Sequence, residues 1–173
     1  MIMIEIKKAT IEDLNTIISL GKQTYTETFA INNTSENNEK YLKENFNSDQ
    51  LSAEINNPNS LFYLAYYENQ PIGFLKTNQS DAQTEIFKEQ TLEIHRIYVM
   101  KAFHGKKIGQ ILLEKAIEIA KQLKVDYIWL GVWENNHNAL GFYAKNGFVT
   151  FDSHVFILGD DQQTDLLMKL EIN

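Results

Sequence analysis

The sequence predicts a single-domain α/β fold in which one mixed β-sheet carries helices on its faces. Its 173 residues are enough for one domain with a sizeable core. Short β-forming runs alternate along the chain with segments whose apolar residues have helical spacing. No repeat or low-complexity tract divides the chain, so we expect one domain over residues 1–173.

The first third of the chain predicts a strand followed by helices. Residues 3–8 form a β-type run, and Thr10 then provides an N-cap with an acidic residue shortly after it. The apolar spacing that follows predicts a helix over residues 11–29. A second helix begins at Ser35, and we expect a short helical turn over residues 51–55.

The middle of the chain predicts a hairpin and then a third strand of the same sheet. Runs over residues 61–67 and 72–78 flank a tight turn at residues 68–71. Residues 79–90 are polar, and we expect them to form a mobile connection. The run TLEIHRIYVM, residues 91–100, is strongly β-forming and predicts the next strand.

The last part of the chain alternates between helix and strand. Apolar spacing predicts a helix over residues 108–123, and VDYIWLGVW, residues 125–133, predicts a strand. The segment NNHNALGFYAKNGF predicts a second helix that ends at Asn146–Gly147, a typical C-cap pair. The segments VTFDSHVFILG and DLLMKLEI predict the two final strands.

Composition excludes several classes of protein and site. The chain has no cysteine, which excludes disulfides, thiolate metal sites and cysteine nucleophiles. Its formal charge of -7 argues against a nucleic-acid partner and fits a cationic one. Its N-terminus has no signal-peptide pattern and no apolar run reaches membrane-spanning length, so we expect a cytoplasmic protein without a membrane partner.

A loop rich in glycine and lysine opens the helix at residue 108. The segment FHGKKIGQ places two glycines and two lysines where a helix offers unpaired backbone N–H groups, which suits a phosphate or pyrophosphate. It lacks the Gly-Lys-Ser/Thr of a P-loop and the spacing of the dinucleotide-binding fingerprint. An ordinary strand-to-helix turn with solvated lysines is the alternative.

Two segments together carry a family resemblance. FHGKKIGQ and GVWENNHNALGFYAKNGF resemble the acyl-CoA-binding core of the GNAT-type N-acetyltransferases, and the tail FILGDDQQTDLLMKL resembles bacterial PaiA-type spermidine/spermine N-acetyltransferases. The family loop reads Gln/Arg-x-x-Gly-x-Gly/Ala, so this chain departs from it at His104 and Lys107. Because Lys107 replaces a glycine, we expect it to keep a helical φ.

The resemblance implies one N-acetyltransferase domain with a mostly antiparallel sheet, helices on both faces, and two splayed parallel strands that hold acetyl-CoA. Backbone groups of Ile97, Tyr98 and Val99 would pair with the pantetheine arm. Asn136 would contact that arm or cap the following helix, and both roles are compatible. The resemblance assigns the pyrophosphate to His104, Gly105, Lys106, Lys107, Ile108, Gly109 and Gln110.

Acetyl transfer to an amine needs a proton acceptor for the amine and a proton donor for the leaving thiolate. Tyr143 occupies the position from which many relatives supply that proton, although it could simply be an aromatic core residue. Glu93 and His95 lie two residues apart on a predicted strand, hence on one face, and are the candidate bases. The alternatives are a solvated strand carboxylate and a core histidine.

The resemblance also implies a small-molecule amine as acceptor, with a polyamine such as spermidine or spermine favoured by the PaiA-like tail. Tyr25, Glu27 and Phe29 are the candidate acceptor-binding residues, although the two aromatics also fall on the apolar stripe of their helix. The histidines have no metal-ligand spacing, so we expect no metal cofactor.

Other readings of the same residues stay open. A non-catalytic acyl-CoA-binding module would keep the loop without needing Tyr143 or a base. A protein N-acetyltransferase would need a wide groove, which a sequence does not reveal. The sequence also leaves a monomer and a homodimer open.

Overall fold

The computed structural model describes residues 2–173 as one seven-stranded sheet with helices on both faces. The strands are β1 (Ile4–Lys8), β2 (Ser60–Tyr67), β3 (Gln70–Gln79), β4 (Thr91–Val99), β5 (Tyr127–Trp133), β6 (Val149–Leu158) and β7 (Asp161–Glu171). The helices are α1 (Leu14–Phe29), α2 (Ser35–Asn45), α3 (Ser48–Asn56), α4 (Ile108–Leu123) and α5 (His137–Lys145). The predicted α/β class is confirmed.

The sheet has the order β1-β2-β3-β4-β5-β7-β6. Every neighbouring pair is antiparallel except β4 and β5, which run parallel. That parallel pair is short, because its register covers only residues 91–93 of β4 against residues 127–129 of β5. The predicted mostly antiparallel sheet is therefore confirmed, and its one parallel pair separates early.

The two faces of the sheet carry separate cores. Helix α4 buries Ile108, Leu112 and Ala116 on one face, together with residues of α5. Helices α1 and α3 bury Ile17 and Leu51 on the other face. Because side chains alternate along a strand, the adjacent residues Phe74 and Leu75 of β3 belong to opposite cores.

Local signals explain where several helices begin. Thr10 and Asp13 form a capping box around a 3-10 turn, so the predicted N-cap is confirmed and regular α-helix starts at Leu14. The short turn predicted over residues 51–55 is in fact the nine-residue helix α3. Asn47 caps this helix, since its side chain accepts a hydrogen bond from Gln50 N at 2.7 Å. The predicted start at residue 51 is too late because it does not take this cap into account.

The connection between β3 and β4 is anchored to the sheet, which corrects the expectation of a loosely held segment. Gln83 Oε1 accepts hydrogen bonds from Thr91 Oγ1 at 2.7 Å and from Trp129 Nε1 at 2.9 Å. Phe87 packs edge to face on the Trp129 ring, with 5.1 Å between centroids. Polar composition did not reveal these contacts because they join residues far apart in the sequence.

Candidate active site

A cavity opens where β4 and β5 stop pairing. The last paired position joins Glu93 to Trp129, although β4 continues to Val99 and β5 to Trp133. Beyond that position lies a cavity of about 280 Å³, lined by α1, α2, β4, β5, β6, β7 and the β3–β4 connection. The sheet topology therefore creates a pocket at the point where its parallel pair separates.

A bulge in β4 determines which of its side chains reach this cavity. Lys76 of β3 pairs with Arg96 and Thr77 pairs with Ile94, so His95 has no partner on β3. Glu93 and His95 both line the cavity, as their spacing predicts, but Arg96 lines it as well. Strict alternation would have put Arg96 on the opposite face, so the sequence carried no signal for it.

Glu93 is a fully engaged carboxylate. It is 3% exposed and accepts hydrogen bonds from Thr84 N at 2.9 Å, Thr84 Oγ1 at 2.6 Å and Asn78 Nδ2 at 3.2 Å. All of these donors are uncharged, so the carboxylate is held in place without a cationic partner among them. Its oxygens are occupied by the protein, which suits positioning and local negative charge better than proton transfer.

His95 is the other candidate base, and its ring is less constrained. Its Nδ1 is buried and has no hydrogen-bond partner among residues 2–173. Burial, reinforced by the nearby cations of Arg96 and Lys76, lowers the pKa of His95 well below its usual 6.5. The imidazole is therefore neutral at pH 7 and able to accept a hydrogen bond, and the lowered pKa makes it a weaker base than an ordinary histidine.

Two buried cations share one carboxylate beneath the cavity. Glu54 Oε2 lies 3.0 Å from Lys76 Nζ and 3.8 Å from Arg96 Nη1. The Arg96 guanidinium sits over the Phe46 ring, with 4.7 Å to its centroid. Burial lowers the pKa of Lys76 to about 8 despite the attraction of Glu54.

The candidate acceptor residues on α1 divide between two places. Tyr25 and Phe29 line the cavity, and the Tyr25 hydroxyl donates to Asn38 Oδ1 at 3.0 Å. Glu27 is not among the lining residues, because its position on α1 directs it to Lys101, whose backbone N–H it binds at 3.3 Å. The structure therefore corrects the grouping of Glu27 with the two aromatics.

The glycine-lysine loop leads into α4 as predicted, but Lys107 does not keep a helical φ. Its φ of 64° and ψ of 14° are left-handed. The chain must reverse at this residue to start α4, and glycine would take that conformation without steric cost. The expectation of a helical φ is wrong, and the lysine pays a conformational cost at the family's glycine position.

The N-terminus of α4 fits a pyrophosphate. Within residues 2–173 no side chain caps the helix, so the N–H groups of its first turn stay free to bind an anion. A Cβ built on Gly109 would meet only Phe142 Cζ, at 3.9 Å, so space remains beside the backbone. Ile108 is fully buried in the core, which leaves only its backbone for such a role.

The remaining loop side chains hold the site together. His104 Nε2 donates a hydrogen bond to Val99 O at 2.8 Å, which ties the loop to the end of β4. Lys106 Nζ lies 5.1 Å from the Phe103 ring centroid. Gln110 Nε2 donates to Asn146 Oδ1 at 2.9 Å, which links α4 to α5.

The residues predicted to hold the pantetheine arm lie on both sides of the gap between β4 and β5. Ile97, Tyr98 and Val99 pair with β3 on one edge, and no described strand pairs with their other edge. Asn136 caps α5 through a hydrogen bond from Ala139 N at 3.2 Å, so its capping role is confirmed. Its contact with the arm stays a prediction.

Tyr143 lies on α5, on the face of the sheet opposite the cavity. It is 8% exposed and packs edge to face on Phe142 and Phe148, with centroids 5.1 and 5.4 Å away. Burial raises the pKa of its phenol. The structure does not bring Tyr143 into the cavity with Glu93 and His95, but it keeps the phenol protonated, as a proton donor requires.

Several lining residues were absent from the sequence-based candidates. They include Trp129, Gly131 and Trp133 of β5 and Asp165 of β7. The alternation of β5 could have indicated that its odd-numbered residues share a face. Nothing in the sequence indicated that β7 inserts between β5 and β6 and brings Asp165 beside them.

Comparison with known proteins identifies the family. A profile of the Acetyltransferase (GNAT) family matches residues 23–148. The chain belongs to this family. The cavity and the α4 loop are therefore parts of an acetyl-CoA-dependent GNAT N-acetyltransferase, and the predicted enzyme class is confirmed.

Relatives of this GNAT chain extend over most of its length. An uncharacterised N-acetyltransferase of Lactobacillus delbrueckii subsp. lactis is 40% identical over 166 residues, 96% of each chain. The spermidine N(1)-acetyltransferase of Thermoplasma acidophilum is 30% identical over 154 residues, 87% of this chain and 91% of that protein. The crystal structure of a PaiA N-acetyltransferase from T. acidophilum in complex with coenzyme A has a TM-score of 0.79 at 29% identity. The match covers 98% of this chain and 99% of that chain.

Two absences in residues 2–173 concern metal sites and membrane-spanning helices. No group of three or more histidine, aspartate or glutamate side chains in this range is arranged to hold a metal ion. None of the helices described in this range is long and apolar enough to cross a membrane.

Proposed function

We propose that this enzyme acetylates the primary amine of a small, multiply charged cation, with spermidine and spermine as the first candidates. The observation that carries the proposal is the lining of the cavity. Two carboxylates, Glu93 and Asp165, supply negative charge to the cavity. Its walls are formed by seven aromatic side chains: Tyr25, Phe29, Tyr41, Tyr98, Trp129, Trp133 and Phe156. Aromatic faces and carboxylates together favour alkylammonium groups, and the charge of Arg96, which also lines the cavity, is offset by Glu54 at 3.8 Å.

The relatives support the same acceptor class. The T. acidophilum protein that is 30% identical to this chain is named a spermidine N(1)-acetyltransferase. The net charge of -7 adds a general attraction for polycations, which salt screens over about 8 Å under physiological conditions.

We assign the cofactor to the gap between β4 and β5, with acetyl-CoA supplying an acetyl thioester. The free N–H groups at the start of α4 would hold the pyrophosphate, and Lys106 and Lys107 would add positive charge. The free edge of residues 97–99 would pair with the amide groups of the pantetheine arm. Uncapped helix N–H groups and an unpaired strand edge are the backbone donors and acceptors that such a ligand needs.

Catalysis then requires three groups of this chain. His95 accepts the proton that the amine nitrogen loses as it forms its bond to the acetyl carbon, because its ring lines the cavity and is neutral. Tyr143 donates the phenolic proton to the sulfur as the carbon–sulfur bond breaks, from the α5 side of the gap. Glu93 binds Thr84 and so keeps the β3–β4 connection (the Thr84 segment) in place. Its carboxylate also adds negative charge near the incoming ammonium.

A panel of amines with acetyl-CoA tests the proposal through release of free thiol. We expect kcat/KM for spermidine and spermine to exceed that for simple monoamines and peptide N-termini. The advantage should shrink as salt rises, more steeply for spermine than for a monoamine. Equal kcat/KM for all amines would remove the polyamine assignment, and preference for a peptide would favour a protein N-acetyltransferase.

A further inference from the structure

The cavity contains a gap between two tryptophans on β5. Trp129, Gly131 and Trp133 alternate along the strand, so their side-chain positions share one face, and all three line the cavity. Gly131 has no side chain, which leaves a recess flanked by two indoles. Trp129 is 1% exposed and fixed by its Nε1 hydrogen bond to Gln83 Oε1, so one wall of the recess is rigid.

A carboxylate lies at the back of this recess. Asp165 of β7 is paired with Trp133 in the register of the sheet, and its Oδ2 lies 3.6 Å from the point where a Cβ on Gly131 would be. We call the recess formed by Trp129, Gly131, Trp133 and Asp165 the Gly131 niche. The carboxylate lines the cavity beside the Gly131 backbone, where a side chain would stand in contact with it.

Asp165 has little compensation from the protein. No lysine or arginine of residues 2–173 pairs with it, and its nearest basic atom is His154 Nε2, 3.6 Å from Oδ2. His154 is itself engaged on its other side, where Nδ1 contacts Glu85. Partial burial raises the pKa of Asp165, since water no longer fully solvates its charge.

We propose that the Gly131 niche binds the second, unreacted ammonium group of a diamine or polyamine acceptor. An alkylammonium matches the niche because it pairs with the carboxylate and is attracted by the faces of the flanking indoles. A neutral alkyl end would leave the Asp165 carboxylate with only its 3.6 Å contact to His154 Nε2, and an anionic end would be repelled. The inference rests on the proposed acetylation of a small cation and makes the niche the element that distinguishes diamines from monoamines.

Two substitutions test the niche with a matched pair of acceptors, putrescine and butylamine, which differ by one ammonium group. Gly131→Ala fills the recess with a methyl that makes only ordinary contacts, 3.6 Å to Asp165 Oδ2 and to Leu167 Cδ2, so the fold is retained. Asp165→Asn keeps the shape and removes the charge. Gly141→Ala, on the exposed side of α5 with nothing within 4 Å, is the control.

We expect each niche variant to lower kcat/KM for putrescine by about tenfold or more, the scale of one lost ion pair. For butylamine, kcat/KM should fall much less in the same variants, because that acceptor has no second ammonium group to pair with the carboxylate. Gly141→Ala should leave both values unchanged. A parallel loss for both acceptors would overturn the inference, since the niche would then serve the reacting group or the acetyl end of the cofactor.

Calorimetry separates this inference from the proposed function. Putrescine binding to the enzyme in the presence of coenzyme A should weaken in Asp165→Asn by the same factor as kcat/KM, whether or not turnover is fast. Turnover of butylamine in the parent enzyme establishes amine acetylation by itself. Unchanged putrescine affinity in both niche variants would refute the subsite and leave the acetyltransferase assignment standing.

Discussion

Glu93 and Trp129 form the last paired position between β4 and β5, and consecutive residues of the β3–β4 connection hold both of them. Thr84 binds the Glu93 carboxylate through its N–H and hydroxyl, and Gln83 accepts the Trp129 indole N–H. The segment therefore fixes the two strands at the place where they separate. This explains how a short parallel pair can support a defined cavity beside it.

The assignment of His95 as the proton acceptor predicts a specific pH dependence. Because burial and two cations lower the pKa of His95, the acidic limb of kcat should lie below pH 6.5. His95→Gln should lower kcat by roughly 10²-fold or more and remove that limb. Glu93→Gln is the comparison, and there we expect a raised KM from a loosened Thr84 segment with the limb retained. If the acidic limb of kcat vanishes in Glu93→Gln and persists in His95→Gln, then Glu93 is the proton acceptor and His95 is the positioning residue.

Tyr143 is predicted to donate the proton to the departing thiolate. Tyr143→Phe keeps the ring contacts with Phe142 and Phe148 but removes the hydroxyl, so the fold should be unaffected. Turnover should fall by roughly 10²-fold or more, the scale of a lost proton-transfer group, while coenzyme A affinity changes far less. Full turnover in this variant, measured where chemistry limits the rate, would assign the tyrosine to packing alone.

The free N-terminus of α4 predicts that backbone crowding at Gly109 blocks the cofactor. Gly109→Val places a branched side chain in the space that now holds only a distant Phe142 contact, 3.9 Å from the built Cβ. Coenzyme A affinity should fall by more than tenfold, which is about 1.4 kcal/mol. Calorimetry on folded protein measures this, with Gly141→Val as a control for β-branching in a helix. Equal affinity in both variants would move the pyrophosphate away from this loop.

The loop and the capping box could be predicted because they are local. A helix N-terminus is marked by residues within a few positions of it, and the signals at Thr10 and at Gly105–Gly109 correctly placed the 3-10 turn that leads into α1 and the start of α4. The family resemblance then supplied the splayed strands and the cofactor. Both kinds of inference use neighbouring residues or whole-chain similarity, and neither requires knowing which strands become neighbours.

The parts that could not be predicted depend on non-local geometry. The bulge at His95 moves Arg96 into the cavity, and a bulge has no reliable signature in a single β-forming run. The approach of Asp165 to Gly131 depends on β7 inserting beside β5. The left-handed Lys107 was misjudged because the way the loop enters α4 fixes its conformation more strongly than the residue type does.

That left-handed conformation predicts a stabilising substitution. Lys107→Gly should raise the free energy of unfolding by about 0.5–1 kcal/mol, because glycine adopts φ of 64° without a Cβ clash. Lys106→Gly is the matched control, since it removes the same charge from a residue whose φ is not positive. Denaturant titration of both variants isolates the conformational effect. Equal changes in the two would show that the lysine at 107 is unstrained.

The buried pair of cations beneath the cavity predicts a stability that depends on pH. The folded pKa of Lys76 is about 8, against 10.5 for an unperturbed lysine, so the unfolded chain holds more protons on this residue between those values. By linkage, its contribution to the free energy of unfolding is least favourable below pH 8 and improves as pH rises towards 10.5.

Lys76→Met removes this charge and leaves Glu54 to pair with Arg96 alone. The methionine also keeps an apolar contact with Phe62, whose ring centroid lies 5.6 Å from Lys76 Nζ. We therefore expect a higher Tm than that of the parent protein at pH 7, with the difference shrinking as the pH approaches 10. Lys7→Met, at an exposed ion pair with Glu5, should change Tm little at either pH. A lower Tm for Lys76→Met at pH 7 would mean that the attraction of Glu54 for Lys76 outweighs the cost of burying a second cation.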